Sequence, residues 1–202
     1  MNILERAKNI LLQPKQEWPK IAGESATVQS LYVSYIMILA AIGPIAMLVS
    51  FAALGLGFGI GAAVFAYIHS LVGVAILALI VDVLAPNFGG TRDYVAALKL
   101  VAYSFTALWV AQIALLIPAA GALIVLIGFI YGFYLFLLGV PEMNKSTSDK
   151  AVPFTIVVVV SAIVLMYLLA LIARSLGFGF GFGGLGMGAA PMGMGHAMGL
   201  LH

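Results

Sequence analysis

The sequence predicts an all-α fold: a polytopic transmembrane bundle of five helices preceded by a short N-terminal amphipathic helix. Composition is the first reason. Hydrophobic residues fill 64% of 202 positions and charged residues only 8%, whereas soluble domains are about half apolar and a quarter charged. The second reason is five long apolar stretches, at 28–54, 62–84, 95–117, 119–140 and 153–174. Each supplies the ~20 helical residues that cross a hydrocarbon core. They lack the alternation of barrel strands, so helices are the way to pair every backbone polar group in lipid. The third reason is the placement of the basic residues. With the N-terminus inside, Arg6, Lys8, Lys15, Lys20, Arg92, Lys99, Lys145 and Lys150 fall on the cytoplasmic side or at its boundary, and Arg174 falls outside. That bias predicts an N-in, C-out topology.

The elements follow in order. Ile3, Leu4, Ala7, Ile10 and Leu11 share one helical face, with Glu5, Arg6, Lys8 and Asn9 elsewhere. This short helix either lies on the cytoplasmic leaflet or packs beneath the bundle. Pro14 stops it, and Trp18-Pro19 is expected at interfacial depth. The first span is too long for the apolar core of a signal peptide and is expected to stay in the mature protein. It carries Gly43-Pro44 near its middle, which predicts a kink. Gly55 to Gly61 reads as a tight outer turn, and 85–93, from Ala85-Pro86-Asn87 to Arg92-Asp93, as a charged inner loop. Spans three and four form a hairpin around Pro118 to Gly121. On span four, Gly128 and Gly132 fit the small-xxx-small pattern and Gly139 lies near the same face, a groove for close helix packing. The chain thus divides into a cytoplasmic segment (1–27), the five-helix domain (28–174) and a Gly/Phe/Met-rich outer tail (175–202). No internal duplication supports an inverted-repeat transporter.

Several function classes drop out. A net charge of +2 without a dense basic patch argues against nucleic acid as a partner. Cysteine is absent, which removes thiolate chemistry and cysteine-based metal sites.

Phe88-Gly89-Gly90-Thr91, followed by Ala97 to Thr106, resembles the bacterial branch of the Yip family, the Ypt/Rab-interacting-protein relatives. Tyr131 to Pro141, Asp149 to Thr155, and Asn9 to Lys15 with Glu17-Trp18 resemble the same branch. The resemblance covers roughly residues 5–172 and departs at the tail. It implies an integral membrane protein with five spans, resident in a bacterial inner membrane. Eukaryotic relatives act as scaffolds in vesicle membranes and bind small GTPases. For this chain the resemblance implies a non-enzymatic role and supplies no catalytic residue.

Few residues could carry chemistry. Asp82 is an acid within an apolar span, the default candidate for a proton or cation step. At a helix C-terminus its charge opposes the macrodipole, so Lys99 or Arg92 is expected beside it. His69 could ligate metal or relay protons. It lies thirteen residues from Asp82, about 20 Å along a helix, so the two cannot pair. Gln112 and Tyr103-Ser104 read as interhelical hydrogen-bonding groups. In the tail, Met187, Met192, Met194, His196, Met198 and His202 offer thioether and imidazole donors suited to copper. The leading expectation is a non-catalytic accessory or scaffold subunit that associates with lipid and with other membrane subunits or copies of itself. A small transporter using Asp82, with Lys99 as its partner, and copper binding by the tail are the alternatives.

Overall fold

The computed structural model describes residues 2–53, 60–117, 119–145 and 148–175. They are helical nearly throughout, and no strand occurs among the described residues. Two short helices, α1 (Ile3–Leu12) and α2 (Pro14–Gly23), precede five membrane-length helices. These are α3 (Val28–Ala53, in segments), α4 (Ile60–Leu84), α5 (Tyr94–Ala111), α6 (Gly121–Asn144) and α7 (Ser148–Ser175). The described helices agree with the five predicted spans.

Helix α5 is the axis of the bundle. It packs along α6 and against α4, and it meets α1 and α3. Leu98, Leu100, Val101 and Trp109 of α5 are fully buried, with Ile36 of α3, Val81 of α4, Leu135 of α6 and Phe154 of α7. The polar groups sit here too. The hydroxyls of Tyr35 and Thr106 meet at 2.6 Å, and the Tyr32 and Tyr67 hydroxyls donate to the carbonyls of Leu71 and Met37, pinning α3 and α4 together.

The break in α3 falls at Ala41, between Met37–Ala40 and Ile42–Ala53. Pro44 has no N–H for the Ala40 carbonyl and its ring crowds that carbonyl, so the ladder opens one turn earlier. A π-helical turn at Tyr32–Ile36 lies upstream and has no sequence signal of its own.

The N-terminal segment differs from expectation. Pro14 does not merely end α1; it opens α2 at the first helical position, where its missing N–H costs nothing. Trp18 does not project outward from the bundle. It is 1% exposed, with Ile10 and Ile21 in the same core as the spans. Of the two readings for the first helix, packing beneath the bundle is the one observed: α1 turns Arg6, Ala7 and Ile10 inward and rests on α2 and α5.

Candidate functional site at the charged end of the bundle

Helices α1 and α2, the 85–93 loop and the α6–α7 connection meet at one end. Of the chain's nine basic and seven acidic residues, all but Arg174 gather there. Arg174, in the last turn of α7, is the one at a far end among the described residues.

The centre of this end is Arg6. Its guanidinium donates to Glu17 at 2.7 Å and to Glu24, and lies 5.8 Å from the centre of the Tyr103 ring. Arg6 is 5% and Glu17 1% exposed. Lys20, on the water side, also donates to Glu17 at 3.1 Å. Burial works against the Arg6 charge, but Glu24, through its hydrogen bond and its charge, outweighs it with help from Tyr103 and Glu17. The group is therefore held above the ordinary arginine value. Two helices that could not fold alone at ten residues each are thus clamped to each other.

Lys99 clamps the pair to the spans. Its ammonium, 6% exposed, donates to the backbone carbonyls of Ile21, at 2.9 Å, and Glu24. A cation thereby satisfies the open carbonyl end of α2, where the helix dipole is negative. Trp18 docks on Gly139: a Cβ there would sit 2.7 Å from the indole and 2.6 Å from Leu100. The Tyr131 hydroxyl completes the attachment by donating to the Leu11 carbonyl at 2.7 Å.

The Phe88-Gly89-Gly90-Thr91 motif acquires a physical reason at the same end. After a 3-10 turn over Ala85–Phe88, Gly89 takes a left-handed conformation, φ 80. The Gly90 N–H donates to the Ala85 carbonyl and the Thr91 N–H to that of Asn144. A Cβ at Gly90 would lie 2.8 Å from the Asn144 oxygen, so the backbones approach only without a side chain. Phe88 meets Phe154 edge-on at 5.3 Å, and Phe154 stacks on Phe136 at 6.3 Å. The stretches that carry the family resemblance therefore meet in space.

The sequence-predicted residues separate. Asp82 is paired by Arg92, at 3.1 and 3.3 Å, and not by Lys99, which the end of α2 has taken. Of the two partners expected for Asp82, Arg92 is therefore the one observed, and Lys99, its partner in the transport alternative, is bound elsewhere. One Asp82 oxygen is buried without a partner, as are the Trp18 indole nitrogen, the Asn144 amide nitrogen and the Ser104 hydroxyl. His69 stands partly buried on α4, its ring 6.1 Å from that of Phe65. Gln112 lies over Gly43, whose added Cβ would meet the carboxamide carbon at 2.8 Å. Gly128 and Gly132 face α5: added Cβ atoms would come to 2.8 Å from the Ala107 oxygen and 3.1 Å from the Ser104 oxygen. The glycine face thus serves packing within the chain. Met187, Met192, Met194, His196, Met198 and His202 lie outside the described residues, and no group of three metal-ligating side chains converges among the described ones.

Two cavities stand out among the described residues. An apolar one of about 70 Å³ lies between α4, α5, α6 and α7, with Ser104, Phe105, Phe133 and Val158 in its wall. A cleft of about 460 Å³ opens at the charged end, where Glu24, Asp93, Lys99, Glu142 and Lys145 face one another. Neither reaches Asp82.

The sequence did not reveal that Arg6, Glu17 and Trp18 meet in one buried cluster. Proline at the head of α2, with an acid in its first turn, was a usable helix-start signal.

Five helices long and apolar enough to cross a bilayer, joined at a charged end, define a polytopic α-helical membrane protein. The family model for the Yip1 domain matches residues 8–195, and the chain belongs to that family. The match runs past residue 172, where the motif resemblance ends, into the Gly/Met-rich tail. No curated protein and no solved structure matches the chain.

Proposed function

We propose that this protein is a non-catalytic accessory or scaffold subunit of a bacterial inner membrane, with its N-terminus and charged end in the cytoplasm. The observation that carries this reading is how the polar side chains are spent. Arg6, Glu17, Lys99, Arg92 and Tyr131 join parts of the chain to each other, so they build a rigid body and do not line a path. The outward ridges stay bulky and apolar: Leu123, Ile127 and Ile130 on α6, and Ile156, Val160 and Val164 on α7, are each more than half exposed. Such ridges suit lipid and neighbouring membrane helices. The charge bias supports the orientation.

The test is gentle native extraction followed by mass spectrometry, comparing the full chain with one truncated after Arg174. Co-purifying membrane subunits are the expected result, and their loss on truncation would place the contact in 175–202. A lone monomer in both preparations would overturn the proposal.

A transport reading has one observation behind it, the unpartnered buried oxygen of Asp82. It predicts that Asp82→Asn abolishes a proton or cation flux in proteoliposomes. Equal flux in both proteins, or none in either, would end it.

A further inference from the structure

The cleft at the charged end is built at a telling depth. Its walls are the α2–α3 connection (Ala22 to Ala26), the first turns of α5 (Asp93 to Lys99) and the last turn of α6 (Glu142 to Lys145). One membrane-length helix ends there, a second begins there and a third begins just beyond, which is the level of the lipid head groups.

The cleft has both charge signs and unused bonding capacity of both kinds. Lys99 lines it. An ammonium has three donors, and the Ile21 and Glu24 carbonyls take two, so this buried cation keeps one. Lys145 has no partner among the described residues, and neither has Glu142. Asp93 spends one oxygen on the Ala96 N–H, capping α5, and Glu24 spends one on Arg6. Each keeps the other. The carboxylates do not converge as a metal-binding group. They are spread around a space that two lysines share, so the complementary guest carries an anion and a cation some distance apart. Val95, Ala96 and Met143 supply an apolar flank.

We infer that this cleft binds the head group of a zwitterionic phospholipid with a primary amine, a glycerophosphoethanolamine. The phosphate takes the spare donor of Lys99 and the ammonium of Lys145. The primary ammonium donates to Glu142, Asp93 and Glu24. A trimethylammonium group cannot make the second set of bonds because it has no N–H, and a phosphoglycerol group has no cation at all.

The test uses the full chain in mild detergent with equal amounts of phosphatidylethanolamine, phosphatidylcholine and phosphatidylglycerol of identical acyl chains. Native mass spectrometry reads the retained lipid. The expected result is roughly tenfold preference for phosphatidylethanolamine over phosphatidylcholine, about 1.4 kcal/mol. The Glu142→Gln, Lys145→Gln double variant, which leaves the Lys99 cap in place, should lose that preference. Equal retention of the two lipids, an undiminished preference in the variant, or stronger retention of phosphatidylglycerol would each overturn the inference. Should the variant fail to fold, N-methylated and N,N-dimethylated phosphatidylethanolamine serve on the native protein. Stepwise loss of retention supports amine recognition, and a flat series refutes it. Water-soluble glycerophosphoethanolamine separates the two sources of this chemistry. Displacement of bound lipid only at a large excess assigns the cleft to the membrane lipid, whereas displacement at equal concentration assigns it to a soluble zwitterion and overturns the lipid.

Discussion

The third and fifth spans are opposites. Tyr94–Leu116 has the lowest mean hydropathy of the five, 1.5, and 56% of its most apolar window is buried in the bundle. Asp149–Ile172 has the highest, 2.9, and only 12% is buried. The other three fall between on both counts, at 2.4–2.5 and 22–28%. In a soluble protein the order would run the other way. Lipid tails are as apolar as leucine, so burying an apolar face against another helix gains little. What holds this bundle together is close approach at glycines and bonds between polar groups. Those are collected on and around α5, where Lys99, Tyr103 and Thr106 are all buried.

Substitutions can break or sharpen this contrast. The largest effect is expected at Arg6→Ala, which strands Glu17 in a buried site. Losing one partner of a buried pair costs about 3–5 kcal/mol, and Lys20 beside Glu17 holds the loss to about the lower end. Thermal unfolding in detergent would read it, and a melting temperature like that of the native protein would break the contrast outright. Gly128→Val comes next. It drives a side chain into Ala111 and the Ala107 backbone, which cannot yield, and overpacking of this kind costs about 1–3 kcal/mol. Tyr35→Phe removes the bond to Thr106 and should cost about 1 kcal/mol. A double-mutant cycle with Thr106→Val isolates that bond. Asp82→Asn should cost less than about 1 kcal/mol, because Arg92 is 61% exposed and returns to water. The smallest effect is expected on the lipid face, where Val160→Leu should stay within about 0.5 kcal/mol. A loss there as large as at Gly128 would show α7 buried against something.

The spans were legible because lipid imposes length and apolarity on every crossing segment, and both are local. The Gly43-Pro44 break was legible for the same reason: proline acts on the turn before it. The charged end was only half legible. Glycines 89 and 90 signalled a turn, but nothing local says that Asn144 would fill the space beside Gly90. Lys99 sits 75 and 78 positions from the carbonyls it caps, and its neighbour in composition, Asp82, was the more obvious partner. Trp18 beside Pro19 reads as an interfacial anchor because tryptophan favours that depth. Its packing partner, the missing side chain of Gly139, lies a long way along the chain and has no local signal.

The contact of Trp18 with Gly139 has a consequence in time. The ribosome makes the first two helices early and the surface that receives them roughly 120 residues later. At about 5–20 residues per second this leaves the amino-terminal pair without its seat for about 6–24 s. A nascent chain arrested before residue 139 should expose a Trp18→Cys thiol to a water-soluble maleimide, and the completed chain should shield it. Docking of the first helices is then a signal that the fourth crossing has been made, and an unfinished or misinserted protein presents a loose, tryptophan-bearing end to proteases.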